Sequence, residues 1–416
     1  MRLLLVAGEV SGDQHGAALV DALRARVPQL ELVGVGGDRC AERGLRLIAH
    51  QKDLAVVGLV EAIGKLRFAR RLIQDLVAET RRERVDAAIL IDSPDFNLPL
   101  AKRLHAAGVP VIFYVSPQVW AWRSGRAKKI ARIGRAILVL FGFEKRWYEA
   151  RGLGEKVTWV GHPLVDQAAD ELRSPVPRPE PGRGRVILMP GSRHGEILRN
   201  LPVMAQAAEK IVSSRPNVEI VLIKADSVSD SLLQEAAGDA LTRWTLVSGP
   251  HLALLAASDV LVVASGTATV EGLLARIPMV VVYRVNGLTF FLARRLVRVP
   301  HIAMANIVSD LDTGLRTVPE LIQHDATAEK IAQEVSRFLD DPALSQITRE
   351  RLAAGAADLG APGAAERTAD AVLRALGVPD ARSSVSILTA ASIGEAPASH
   401  GESCAPGEDL QRKESA

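Results

Sequence analysis

The sequence predicts an α/β protein of two domains, each built on a parallel sheet, and three observations point there. A short apolar run ends in a Gly/Ser turn and opens a helical pattern twice, at 3–13 (LLLVAGEVSGD) and again at 186–196 (VILMPGSRHGE). Apolar runs then alternate with helix-period segments along most of the chain, the mark of βαβ units. Finally, 416 residues exceed what one core usually holds, since a domain takes about 150.

Taken in order, strands are predicted at 3–7, 32–35, 87–91, 111–115, 137–140 and 157–160, short apolar runs of the kind buried on both faces of a sheet. Between them, 13–26, 66–82, 98–107 and 144–150 carry apolar residues at helical spacing. The stretch SPVPRPEPGRGR at 174–185 has proline at 175, 177, 179 and 181. That excludes a regular helix or central strand and favours an extended connector. Strands resume at 186–189, 219–223, 245–247, 260–263 and 279–283, and a last helix is expected at 364–376. The expected layout is a first domain at 1–173, a linker at 174–185 and a second domain at 186–379, the last helices packing back on the first domain or on a partner. The Ser/Ala/Gly-rich tail at 380–416 is expected to be disordered.

Composition narrows the class. With 48% hydrophobic and 24% charged residues the chain can bury two cores and is neither fibrous nor disordered. A net charge of +3 gives no argument for nucleic acid as a partner. Cys40 and Cys404 have no metal spacing and form no disulfide framework, so a reducing cytoplasm fits. No export signal is expected, and no run reaches the roughly 18 apolar residues of a membrane span. Two stretches, 56–72 and 288–299, mix bulky apolar side chains with clustered Arg or Lys. Each suits an anionic lipid interface, or equally an amphipathic helix packed on its own domain.

The candidate sites sit where predicted strands end. Gly8, Ser11, Gly12 and Asp13 follow the first strand; the glycines let the backbone bend against a ligand, and Ser11 or Asp13 can cap the next helix. Gly8, Gly12 and Gly16 are spaced by four, and the cluster Gly34, Gly36 and Gly37 lacks a third matching glycine. A dinucleotide cofactor is therefore not expected. Asp92 and Asp95 follow the strand at 87–91, the end where open α/β sheets hold ligands, so a carboxylate there can act as a base; both can also cap the turn and a helix starting near Asn97. Trp120 and Trp122, followed by the basic run 123–132, can wall an acyl or sugar ligand or pack under a loop. Gly191, Ser192 and Arg193 combine a flexible turn, a helix start and a guanidinium suited to a diphosphate. His194 reads as a loop residue. Ser265, Gly266 and Thr267 place hydroxyls and amides at another helix start, with Glu271 one turn along for ribose hydroxyls; the alternative is a plain cap. Asp310 and Asp312 read as a solvated loop rather than a metal site.

The motifs GEVSGD, DSPDFN, YVSPQVWAWR, GHPL, PGSRHGEI and SGTATVEG, in this order over residues 1–376, resemble the lipid-A-disaccharide synthase family. The resemblance implies a GT-B fold with two facing Rossmann-like domains, no resident metal and no cofactor. It implies an inverting transferase that condenses UDP-2,3-diacylglucosamine with 2,3-diacylglucosamine 1-phosphate through a β(1→6) link and releases UDP. It further implies a homodimer at the cytoplasmic face of the inner membrane. Carried over residue by residue, Asp92 matches the family's proposed base, Glu9 lies in the conserved turn, Arg193 matches the arginine near the diphosphate and Asn306 an essential asparagine. The segment 307–317 departs from the pattern, being longer and lacking a Gly-Arg pair. Two other classes stay open on the residues alone: a UDP-sugar 2-epimerase on the same fold, and a non-catalytic peripheral protein that binds nucleotide.

Overall fold

The computed structural model of the chain describes residues 1–54, 61–121, 124–180, 182–285, 300–309 and 316–378, with side chains omitted for 61–66. Trp122, Arg123, Asp310, Asp312, the segment 288–299, residues 56–60 and the stretch 380–416 lie outside the described residues.

Two sheets form, each parallel throughout. The first holds β1 (Arg2–Ala7), β2 (Glu31–Gly36), β3 (Leu45–His50), β4 (Ala87–Ile91), β5 (Val111–Tyr114), β6 (Gly134–Val139) and β7 (Val157–Trp159), in the order β3-β2-β1-β4-β5-β6-β7. The second holds β8 (Gly184–Met189), β9 (Val218–Lys224), β10 (Thr245–Ser248), β11 (Val260–Ala264), β12 (Met279–Tyr283) and β13 (Glu320–Ile322), in the order β10-β9-β8-β11-β12-β13. Each order reverses once, between β1 and β4 in the first sheet and between β8 and β11 in the second. A crevice opens at such a reversal, beyond the carboxyl ends of the strands, because the flanking loops depart in opposite directions. All four motif turns named above for phosphate or base chemistry leave these four strands.

Helices α1 (Val10–Arg26), α2 (Asp38–Glu42), α3 (Glu61–Arg82), α4 (Pro94–Ala106), α5 (Ala127–Ile133), α6 (Gly142–Glu149) and α7 (Leu164–Glu171) accompany the first sheet. With the second go α8 (His194–Ser214), α9 (Asp230–Ala237), α10 (Leu252–Ala256), α11 (Ala268–Leu274), α12 (Met304–Ser309), α13 (Ala328–Asp340) and α14 (Pro342–Ala356), and α15 (Ala364–Ala375) closes the described chain. One face of the first sheet packs Leu72, Leu76, Phe96 and Leu104 against Leu4, Val6 and Leu90. One face of the second packs Ile197, Leu201, Met204 and Ile331 against Val186, Leu188 and Val262. The remaining faces of both sheets share one continuous apolar cluster, with Leu164, Leu255, Leu352, Leu359 and Val372 bridging them. At roughly 25 cal/mol per Å² of apolar area buried, that shared cluster ties the two halves together energetically.

Helix α15 lies on the first sheet although it follows the second in sequence. It packs on α1 and β6, Arg26 pairs with Asp370, and Arg135 Nε donates to the Ala375 carbonyl at 2.9 Å. Asp166 accepts from the amides of Gly363 and Ala364 at the helix start, where the orphan N–H groups need acceptors. The described part of the proline-rich stretch, 174–180, runs without helix or strand, and Arg185 donates back to the Pro177 carbonyl.

Candidate active site

The first crevice is lined by two turns that touch. After β1, Gly8 lies so close to the next turn that a Cβ would stand 2.7 Å from Ser93 Oγ, so any side chain here would force Ser93 to shift. Glu9 then takes extended backbone as the N-cap of α1, which starts at Val10. Neither Ser11 nor Asp13 caps that helix, contrary to expectation. Asp13 is buried at 3% exposure and its carboxylate accepts from the amides of Gly37, Arg39 and Cys40. It holds the start of α2. Gly12 packs in ordinary contact with Ala7, and Ser11 is half-buried on the first turn.

After β4, Asp92 and Ser93 both take left-handed backbone, φ +47° and +44°, and Pro94 opens α4 at once. The helix therefore starts before Asn97, and Asp95 sits exposed in its first turn rather than capping it. The Asp92 amide donates to the Tyr114 carbonyl at 3.0 Å, which pins the turn to β5. Burial, and after it the Glu9 charge, lift the Asp92 carboxyl from the usual range to about 6, against the opposing pull of the Ser93 amide and Arg193. A carboxylate poised near 6 is suited to accept a proton at neutral pH.

The second crevice supplies the cation. Gly191 has φ +117°, a conformation glycine adopts freely, and it turns the chain from β8 into α8, whose N-cap is Arg193. His194 is the first residue of that helix, not a loop residue. Arg193 donates to Glu196 at 2.9 Å and stands 3.7 Å from Glu9 of the opposite half. The Ser192 amide donates to Glu196 as well, so this carboxylate sits where a helix start would otherwise draw an anion.

Across from it, Gly266 (φ +152°) and Thr267 are exposed at the start of α11, with open space around the glycine. Ser265 Oγ donates to the Ile302 carbonyl. Glu271 lies 3.4 Å from His251 Nε2, a residue that sequence reasoning passed over because its partner is twenty positions away. Burial works against a charged His251 imidazole, but the contact with Glu271 outweighs it and holds the pKa above the ordinary value.

Two expected site residues direct their polar groups to partners within the protein. Asn306 is fully buried; its Nδ2 donates to the Val318 carbonyl and to Glu320, both at 2.9 Å, and its Oδ1 accepts from the Val318 amide. All its polar groups are met by the protein, so it ties α12 to Val318 and Glu320 at the entry to β13. Trp120 donates to Glu144 at 3.1 Å and meets the Phe143 ring edge-on at 4.8 Å. These contacts pack the half-buried ring against α6. Glu144 is itself buried and also accepts from the Leu140 and Phe141 amides; burial pushes its pKa up to about 7. Another pair unnoticed in the sequence is His15 and His162, ring centroids 6.2 Å apart, both held neutral by burial at about 4 and about 3. Among the described residues no group of three or more His, Cys, Asp or Glu is placed to hold a metal ion.

The sequence pattern of the lipid-A-disaccharide synthetase family matches residues 3–372. A lipid-A-disaccharide synthase from Geobacter sulfurreducens is 40% identical over 385 residues, covering 90% of this chain and 97% of that protein. One from Myxococcus xanthus is 39% identical over 380 residues, covering 90% and 97%. Among solved structures, the UDP-GlcNAc 2-epimerase from Neisseria meningitidis bound to UDP-GlcNAc superposes with a TM-score of 0.59 at 11% identity, covering 90% of this chain and 100% of that one. The glycotransferase of kitacinnamycin gives 0.59 at 17% identity, covering 90% and 98%. At those identities the two structures share the fold of facing parallel-sheet domains.

Proposed function

The chain belongs to the lipid-A-disaccharide synthetase family, and on that premise we propose how its two crevices divide the reaction. It is a glycosyltransferase of the GT-B fold that condenses UDP-2,3-diacylglucosamine with 2,3-diacylglucosamine 1-phosphate into the β(1→6)-linked disaccharide and releases UDP. Configuration inverts, which requires attack from the face opposite the departing diphosphate. The likeness to the 2-epimerases is one of fold and does not carry their reaction to this chain.

In this reading the second domain grips UDP. The exposed amides at Gly266 and Thr267 and the turn Gly191-Ser192 meet the diphosphate, Arg193 balances the charge that builds on it, and Glu271, steadied by His251, takes ribose hydroxyls. The first domain presents the acceptor. Asp92 removes the proton from the 6-hydroxyl as the bond to the anomeric carbon forms, a single displacement. Glu9, the nearest charge on the same side, keeps the Asp92 carboxyl basic enough for that step. For UDP to enter, Glu196 gives up its hold on the Ser192 amide, because both are acceptors for the same N–H.

The observation that carries the reading is the convergence of Glu9 and Asp92 from the first sheet with Arg193 from the second, at the strand ends flanking each reversal. Mass spectrometry of the product from defined UDP-diacylglucosamine and its 1-phosphate acceptor tests it. The disaccharide 1-phosphate is expected with wild type and not with Asp92→Asn, and near-normal turnover by that variant removes Asp92 from the base role.

The same reading places the protein at the cytoplasmic face of the inner membrane, where diacylated substrates reside, and makes it a homodimer. No helix among the described residues is long and apolar enough to cross a membrane. Val10, 71% exposed beside Glu9, and Phe68, 38% exposed among Arg67, Arg70 and Arg71 on α3, supply apolar and basic groups on the first domain for that contact. Vesicle flotation and light scattering of the purified chain test the two statements separately.

A further inference from the structure

We propose that Asn97 is the positioning residue for Asp92, locking the left-handed turn that aims the carboxylate into the crevice. The inference rests on Asp92 as the proton acceptor and adds what keeps it in place.

Two consecutive non-glycine residues at positive φ, Asp92 and Ser93, form a turn that L side chains resist, since Cβ crowds the neighbouring carbonyl. Pro94 adds a second constraint, because its ring restricts the backbone of the residue before it. Such strain persists only where the surroundings over-determine it. Asn97 supplies the determination. Its Nδ2 donates to the Ile91 carbonyl at 3.0 Å and to the Asp92 carbonyl at 2.7 Å, closing a ring from α4 back onto the end of β4. The side chain is 1% exposed, so water does not compete for these bonds.

The choice of amide follows from the donor count. Two carbonyls must be met from one buried position, and of the side chains this short only asparagine offers two N–H groups. Aspartate has the same shape and no donor when ionised; serine has one. Among the described residues Asn97 Oδ1 accepts no hydrogen bond, a cost that a residue kept merely for packing would not carry. Gly8 braces the turn from the other side against Ser93. The charges facing Asp92 are Glu9, from the turn after β1, and Arg193, from the start of α8.

The test compares wild type, Asn97→Ala, Asn97→Ala with Ser93→Gly, and Asp92→Asn, all as the full chain, in turnover, KM, UDP affinity and the pH dependence of kcat/KM. For Asn97→Ala, kcat is expected to fall on the order of 10- to 100-fold, as for a misaimed base, with KM and UDP affinity within about twofold. The acid limb of kcat/KM is expected to move from about 6 toward lower pH as the carboxyl swings into water. Adding Ser93→Gly restores part of kcat, since glycine takes the left-handed conformation without strain. A folding defect alone would lower activity with the folded fraction and leave the limb unmoved, and that result overturns the inference. So does wild-type turnover by Asn97→Ala beside an inactive Asp92→Asn, which leaves the base reading intact. An active Asp92→Asn overturns both.

Discussion

The Arg193 guanidinium stands 3.7 Å from the Glu9 carboxylate, across the gap between the two sheets. Each residue is the N-cap of the helix that follows the first strand of its half. Both are well exposed, 73% and 46%, so the pair contributes little to stability, about 0–1 kcal/mol at most. Its importance lies in the charge it places at the crevice.

Arg193→Ala therefore separates binding from folding. UDP affinity measured by calorimetry is expected to fall about 10- to 100-fold and turnover to fall with it, while the melting temperature holds within about 2 °C. Unchanged UDP affinity would take Arg193 out of the diphosphate site.

Asp92→Asn is expected to abolish turnover and leave UDP affinity nearly unchanged, and it should also stabilise the fold. Because the folded carboxyl is raised from 3.8 to about 6, its favourable contribution is present at low pH and lost as pH rises through about 6. The neutral amide escapes that loss. At pH 8 the variant should gain about 1–3 kcal/mol, the gain shrinking toward pH 4. Denaturant melts at the two pH values check the sign.

The pH profile of kcat/KM is expected to fall below about 6, where Asp92 takes up its proton. Glu9 raises that pKa and Arg193 lowers it. Glu9→Gln should thus move the acid limb to lower pH and Arg193→Ala to higher pH, opposite signs from two residues in contact. Limbs that move together would mean the profile reports another group.

Asn306→Ala is expected to cost about 2–4 kcal/mol of stability, because Glu320 and the Val318 backbone lose their buried partner. The inactivity expected of this variant then arises from disorder of the turn before β13. Chemical denaturation decides it: a loss of turnover with wild-type stability would restore Asn306 to direct contact with a ligand.

What was readable in advance followed local chemistry. Strand β4 was legible over its whole length because five apolar residues ran into Asp92, and the turn at Gly191 because proline and glycine precede the arginine. Strand β3 went unseen: Arg46 interrupts its apolar pattern and it lies at the sheet edge. Strand β13 is only three residues long. Helix α4 starts earlier than the sequence predicts because Pro94 is suited to the first helical position, whereas Asp92 and Asp95 have the chemistry of caps. The roles of Asp13, Trp120 and Asn306 were illegible for a different reason. Each is decided by a buried partner on another element, Gly37, Glu144 and Glu320 respectively, and no spacing rule links such residues in one sequence.

Helix α15 has a consequence for how the chain is made. Arg26 and Asp370 are 344 positions apart, and α1 and β6 both pack against that last helix. A ribosome delivers the amino-terminal lobe early and its lid last, so the lobe born first is completed last, with an apolar face waiting for shelter throughout synthesis. Neither half is a free-standing module in the order of translation. A nascent chain stalled before residue 364 should be the species that chaperones hold.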